Sequence, residues 1–101
     1  MKLVYLIRNN NSQYKIGISK SPSKRIEQHQ TGNPDELKII ETYESENAAK
    51  IETALHNMYI HKRANREWFN LSIVEEVNFV TNCKRIDESI NFLKKMENKY
   101  I

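Results

Sequence analysis

Two short apolar runs, residues 4–7 and 14–18, lie near the start of the chain and flank a polar run rich in asparagine and serine. Both polar residue types tolerate the left-handed backbone of tight turns, so the pattern predicts a β-hairpin. With a side-chain period of two, one face of this hairpin is apolar and carries Val4, Leu6, Ile16 and Ile18. The other face carries Tyr5, Ile7, Lys15 and Gly17. That second face suits the close approach of an anionic ligand, although a plain hairpin with a packed tyrosine also explains it.

A first helix is predicted after the hairpin. Ser21 is a good N-cap residue and Pro22 fits the first helical position. The helix should run to about Gln30, because residues 31–34 contain both Gly and Pro and break it. Few of its residues are apolar, so we expect it to lie on the surface of the protein.

A third strand and a longer helix follow. Residues 37–43 are rich in β-branched and apolar side chains, which favours a strand. From Glu46 to about His61, apolar residues recur at spacings of three and four and predict a helix. Its expected core stripe consists of Ala48, Ile51, Leu55 and Met58.

The last third of the chain predicts further helices. Residues 66–71, with two adjacent aromatic side chains, are interpreted as a short strand or an anchoring loop. Ser72 and Glu75 have the spacing of a capping box and start a helix through about Cys83. The apolar positions expected to face inward in these helices are Ile73, Val77, Val80, Ile86, Ile90 and Leu93.

The order of elements predicts an α/β (α+β) fold with a small three-stranded antiparallel or mixed sheet flanked by helices, followed by extra C-terminal helices. We expect residues 1–71 to form the functional domain and residues 72–101 to form a helical extension packed on it. A chain of 101 residues can bury one modest core.

Composition narrows the class of protein. The net charge of +3 permits a nucleic-acid partner without requiring one. Cys83 is the single cysteine, so neither an internal disulfide nor a cysteine-rich zinc site is expected. No apolar run approaches the roughly 20 residues that cross a bilayer. We therefore expect a cytoplasmic protein without membrane association, located in the host cytoplasm if its source is a phage or virus.

Two helix flanks carry candidate chemistry. Arg25 and His29 lie four residues apart on the first helix and project together, although a solvated helix face also explains them. The longer helix is expected to align Glu52, His56, Tyr59 and Arg63. There, Glu52 and His56 alone would also make an ordinary surface pair.

Read together, these residues resemble the GIY-YIG nuclease superfamily, and most closely its compact phage and viral branch. The resemblance covers roughly residues 3–71. It is carried by Val4-Tyr5-Leu6, by Lys15-Ile16-Gly17, by Arg25, by Glu52 and by Glu67-Trp68-Phe69. The first motif lacks its glycine, and Lys15 stands where the superfamily name has tyrosine.

The resemblance implies an endonuclease that hydrolyses phosphodiester bonds, usually in DNA, with one Mg²⁺ or Mn²⁺ ion. Its implied catalytic residues are Tyr5, Lys15, Arg25, His29 and Glu52, and Glu52 would hold the metal ion. Substrate contacts are expected from Gly17, Arg25, His56 and Arg63. Asn70 is a further candidate near the metal. In this scheme Tyr5 takes a proton from water if a cation such as Lys15 lowers its pKa.

A binding module is the alternative interpretation, in which the same fold recognises nucleic acid or a host protein without cleaving. The C-terminal helices would then complete the core or mediate formation of a homodimer. Trp68 and Phe69 are expected to anchor the core rather than to stack on bases.

Overall fold

A computed structural model describes residues 1–31, 36–65 and 67–100, and the side chains of residues 1–28, 36–65 and 67–97. The strands are β1 (Lys2–Arg8), β2 (Tyr14–Ser19), β3 (Lys38–Ser45), β4 (Arg63–Asn65) and β5 (Trp68–Phe69). The helices are α1 (Pro22–Thr31), α2 (Ala48–Met58), a 3₁₀ helix (Ile60–Lys62), α3 (Ile73–Val77) and α4 (Phe79–Tyr100). The fold is therefore of the α+β type, as the sequence predicted.

One antiparallel sheet of five strands has the order β3-β1-β2-β5-β4. The predicted hairpin is confirmed, with Tyr5 opposite Gly17 and Leu6 opposite Ile16. The prediction of three strands was wrong, because β4 and β5 add to the edge of β2. These two strands contain three and two residues, which is too short to produce an alternating pattern in the sequence.

The main core lies between one face of the sheet and the helices α2 and α4. Val4, Leu6 and Ile16 supply it from the hairpin, as predicted. From α2 it receives Ala48, Ile51 and Leu55, whereas Met58 is 51% exposed. Tyr59, immediately after α2, is buried in its place. The expectation for Met58 was therefore wrong, because the helix ends there and the chain turns Tyr59 inward.

The opposite face of the sheet is covered as well. Tyr5, Ile7 and Leu37 form a second, smaller core, and Ile26 of α1 and Trp68 pack against it. Tyr5 is only 2% exposed. The face that carries the candidate chemistry is therefore a buried surface that opens at one side, and Trp68 and Phe69 are core residues as predicted.

The longer predicted helix is interrupted before His61. After α2 the chain forms the 3₁₀ helix and then enters β4 at Arg63. The predicted line of four side chains along one helix flank is therefore wrong, since Arg63 lies on a strand and Tyr59 is buried.

The capping box at the start of α3 is confirmed. Ser72 Oγ accepts a hydrogen bond from the Glu75 amide at 3.2 Å, and the Glu75 carboxylate accepts one from the Ser72 amide at 2.8 Å. However, α3 ends at Val77, and the core positions one turn later are Phe79 and Cys83 of α4. The predicted inward positions Ile73, Val77 and Leu93 are instead more than 60% exposed.

A polar network holds α4 to β3 and to the turn before α2. The Asp87 carboxylate accepts hydrogen bonds of 2.8 Å from Tyr43 Oη, Ser45 Oγ and Asn47 Nδ2. Lys94 Nζ donates to Asn47 Oδ1. Three donors on one carboxylate fix the position of α4 against the sheet. None of the described helices combines the length and the apolar character that crossing a membrane requires.

Candidate functional site

The site forms where strand β2 loses its second neighbour. Only Tyr14 and Lys15 of β2 pair with β5, so among the described strands the rest of β2 has a partner only in β1. At this open edge, the Nε2 atom of His56 lies 2.9 Å from the carbonyl oxygen of Ile16. A carbonyl only accepts, so Nε2 carries the proton and donates it. The contact joins α2 to the strand that carries Lys15 and Gly17.

A cavity of about 240 Å³ opens at this edge. It is lined by Tyr5, Lys15, Ile16, Gly17, Ile18, Arg25, Glu52, His56 and Glu67. Arg25 belongs to α1, which packs on one face of the sheet, and Glu52 and His56 belong to α2, which packs on the other. Most of the predicted catalytic and substrate-binding residues therefore line one cavity.

Tyr5 and Gly17 fit closely against each other. A Cβ atom on Gly17 would lie 2.3 Å from Tyr5 Oη and 2.4 Å from Tyr5 Cζ. Such distances are well below van der Waals contact, so the absence of a side chain at position 17 makes room for the phenol. This close approach lets Tyr5 line the cavity although it is only 2% exposed.

The electrostatic surroundings of Tyr5 differ from the prediction. Burial raises the pKa of Tyr5, and a hydrogen bond from the Arg25 side chain together with its charge only partly opposes that rise. Glu52 and Glu67 raise the pKa further. The expectation that Lys15 lowers the pKa of Tyr5 was therefore wrong: Arg25 is the cation that acts on the phenol, and burial outweighs it.

Lys15 is engaged elsewhere in the cavity. Its Nζ atom lies 2.7 Å from a carboxylate oxygen of Glu67. The Lys15 side chain is 11% exposed and that of Glu67 is 66% exposed. Glu67 was not among the predicted site residues. The signal that could have found it is its place immediately before two core aromatics, since Trp68 pairs with Lys15 in the sheet.

Glu52 is the candidate for holding a metal ion. Its partly buried side chain lines the cavity one helical turn before His56, and carboxylate oxygen is the ligand type that Mg²⁺ and Mn²⁺ prefer. No group of three or more His, Cys, Asp or Glu side chains suited to a metal ion occurs in the described part of the chain. The donor set therefore fits a weakly held ion that keeps most of its water ligands.

Other predicted residues are not among those that line the cavity. Arg63 is exposed on β4, with its guanidinium carbon 5.5 Å from the centre of the Phe69 ring. The substrate contact expected from Arg63 is therefore not supported, because α2 ends before it. Asn70 is exposed and does not line the cavity. The side chain of His29 lies outside the described residues.

Tyr14 does not replace the missing motif tyrosine. Its side chain points into the main core, and its hydroxyl donates to the Glu76 carboxylate at 2.7 Å. Because successive strand residues point to opposite faces, Tyr14 cannot share the cavity with Lys15. Lys15 is therefore the residue of this strand segment that presents a polar group there.

Residues 2–93 match the T5orf172 domain. The chain belongs to the T5orf172 domain family. Neither a comparison with curated proteins nor one with solved structures found a match. The T5orf172 match extends beyond residue 71 and includes α3 and most of α4. These helices thus belong to the same family domain as the strands and helices that form the cavity.

Proposed function

We propose that this T5orf172 domain is a divalent-metal-dependent endonuclease that hydrolyses phosphodiester bonds in nucleic acid, with DNA as the expected substrate. The observation that carries the proposal is the convergence of Tyr5, Arg25 and Glu52 on one open-edged cavity. In metal-assisted phosphodiester hydrolysis a phenol can accept a proton from water, a guanidinium can stabilise charge on the phosphate, and a carboxylate can hold the metal ion. The motif resemblance to GIY-YIG nucleases supports the same reaction.

Each side chain has a role in this proposal. Glu52 holds the metal ion, which when bound supplies positive charge next to the scissile phosphate. Arg25 donates two hydrogen bonds to phosphate oxygens, a fork geometry that lysine does not provide. Tyr5 accepts the proton of the attacking water once its hydroxyl is deprotonated. Lys15 neutralises a further phosphate oxygen, and Gly17 leaves space for Tyr5.

A binding module without cleavage is the second candidate function. The raised pKa of Tyr5 favours it, because a protonated phenol is a poor base at neutral pH. In this case the cavity would still accommodate a phosphate group of nucleic acid.

Plasmid cleavage separates the two functions. We expect the wild-type protein to nick or linearise plasmid DNA with Mg²⁺ or Mn²⁺, and Glu52→Ala to reduce the rate by at least ~100-fold. Glu44→Ala is the matched control, because Glu44 is an exposed carboxylate on β3, at the other edge of the sheet. It should cleave at the wild-type rate. If wild type and Glu52→Ala both retard DNA equally in a gel and leave it intact, the binding module is the correct function.

A further inference from the structure

The charged groups of the cavity balance one another. Among the described lining residues, Lys15 and Arg25 are cationic, and Glu52 and Glu67 are anionic. With histidine counted as neutral, the formal charge of these groups sums to zero. A cavity without net charge offers little long-range attraction to a phosphodiester, although its function as proposed requires one to enter.

Lys15 and Glu67 differ in how firmly they are held. The Lys15 side chain is mostly buried, so its stem is fixed by the sheet and by its neighbours. Glu67 is two-thirds exposed, and its carboxylate reaches Lys15 from the solvent side. An exposed carboxylate can move away at small cost, because water solvates it once the ion pair is broken. A second anion that takes the place of the carboxylate would stabilise the mostly buried ammonium group.

A phosphate oxygen is a suitable replacement for that carboxylate oxygen. Both are anionic acceptors, and both make charge-assisted hydrogen bonds of similar length to an ammonium group. The two anions therefore compete for the same donor at the same edge of the cavity. In the structure, a carboxylate oxygen of Glu67 already lies 2.7 Å from that donor.

We propose that Glu67 competes with the substrate phosphate for the Lys15 ammonium group and thereby weakens nucleic-acid binding until a divalent cation enters the cavity. This inference rests on the proposed function for its substrate class, but not on cleavage. The cation adds two positive charges near Glu52 and gives the displaced Glu67 carboxylate a new partner charge. The cost of displacing Glu67 is then smaller than in the metal-free protein.

The test measures binding of a fluorescently labelled DNA duplex by anisotropy at low ionic strength, in EDTA and in Ca²⁺. In EDTA, Glu67→Gln should bind the duplex about 3- to 10-fold more tightly than wild type, since a competing charge has been removed. In Ca²⁺ the gain should fall below about 2-fold, because the cation already compensates for the displaced carboxylate. A denaturing gel after each titration checks that the duplex stays intact.

Glu44→Gln is the matched control, since it removes one exposed carboxylate at the far edge of the sheet. It should leave affinity within about 2-fold of wild type in both buffers. An equal gain in both variants would overturn the proposal, because the effect would then come from net charge alone. Unchanged or weaker binding by Glu67→Gln in EDTA would overturn it as well, as would a gain of the same size in both buffers.

A second variant guards against a local structural effect. Glu67→Ala removes the carboxylate without leaving an amide, and it should reproduce the gain of Glu67→Gln while still unfolding in one cooperative thermal transition. We expect a lower melting temperature than that of the wild type, because the mostly buried Lys15 ammonium group loses a partner. A gain in one variant alone would overturn the proposal.

The outcome is separate from that of the cleavage assay. Suppose that the cation promotes DNA binding by the wild type, that Glu67→Gln binds more tightly than the wild type in EDTA, and that no cleavage occurs with Mg²⁺ or Mn²⁺. These results would support the competition and refute the proposed nuclease function. Cleavage by the wild type without tighter DNA binding by Glu67→Gln would support the nuclease function and refute the competition. Absence of DNA binding in all variants and buffers would refute both.

Discussion

The phenol ring of Tyr5 occupies the space in which a side chain at position 17 would lie, with its Oη atom 2.3 Å from the Cβ position of Gly17. The two residues face each other across β1 and β2. This contact explains why a buried tyrosine reaches the cavity at all, since any larger residue at position 17 would push the ring aside.

Gly17→Ala should therefore displace Tyr5. We expect cleavage to fall by about 10- to 100-fold, and the unfolding free energy to fall by about 1–3 kcal/mol because a buried ring must move. The measurements are initial cleavage rates and urea unfolding. On a Tyr5→Phe background, Gly17→Ala should cost much less activity, because the hydroxyl it misplaces is already absent. Equal losses in both backgrounds would show that Gly17 acts independently of the phenol.

The contact between His56 and Ile16 gives a second prediction. The centres of the His56 and Phe69 rings lie 5.3 Å apart, so His56→Phe retains an aromatic ring beside Phe69. The substitution removes the donor to the Ile16 carbonyl. We expect a loss of about 1 kcal/mol in unfolding free energy and lower cleavage, since Glu52 lies on the same helix. His56→Gln keeps an amide donor near the position of Nε2. It should restore part of the unfolding free energy and part of the cleavage rate. If Gln is no better than Phe, the hydrogen bond does not position α2.

Substitution of Arg25 tests whether its guanidinium group donates two hydrogen bonds to a phosphate. Arg25 is exposed on α1, and its guanidinium group lowers the pKa of Tyr5 against the larger effect of burial. Arg25→Lys keeps the charge but loses the two-pronged donor, so we expect at least ~10-fold slower cleavage and less than about 0.5 kcal/mol change in unfolding free energy. Lys24→Arg, at the exposed neighbouring position, is a control for helix effects and should change neither quantity. A wild-type rate in Arg25→Lys would remove Arg25 from the site.

Much of this site was predictable because it depends on local periodicity. The period of two placed Tyr5, Lys15 and Gly17 on one face, and the structure has all three lining the cavity. The α2 stripe likewise oriented Ile51 and Leu55 inward. These features follow from the geometry of a single strand or helix, which the sequence expresses directly.

The remaining features depend on contacts between distant segments. The Lys15–Glu67 ion pair arises because β5 adds to the sheet beside β2, and two residues of strand leave no periodic signal. The raised pKa of Tyr5 results from its burial in the small core under α1, which no local pattern measures. Arg63 was misplaced because one continuous helix was assumed where the chain turns at Tyr59.

The hydrogen bonds to the Asp87 carboxylate make the unfolding free energy depend on pH. Burial tends to raise the pKa of Asp87, but hydrogen bonds from Asn47, Ser45 and Tyr43 outweigh burial and hold the pKa below its ordinary value of 3.8. Because the pKa of Asp87 is lower in the folded state than in the unfolded state, its carboxylate stabilises the fold at pH values above the unfolded-state pKa. This contribution is lost as the pH falls through the folded-state pKa. We expect Asp87→Asn to reduce the unfolding free energy at pH 7 by about 1–3 kcal/mol.

The difference between wild type and Asp87→Asn should shrink as the pH falls below 3.8, measured by urea unfolding at a series of pH values. The control is Glu88→Gln, on the exposed side of α4, which should run parallel to wild type. A difference that stays constant down to pH 2 would show that Asp87 does not carry the linkage.

The raised pKa of Tyr5 predicts the pH dependence of cleavage. A general base acts only when deprotonated, so a phenol whose pKa burial has raised is largely protonated at neutral pH. We expect the cleavage rate to rise about tenfold per pH unit between about pH 6 and pH 8. In Tyr5→Phe the rate should be at least ~100-fold lower and its pH dependence shallower. DNA binding in Ca²⁺, measured at the same pH values, separates chemistry from affinity. An equally steep rise in Tyr5→Phe would assign the titration to another group and remove Tyr5 from proton transfer.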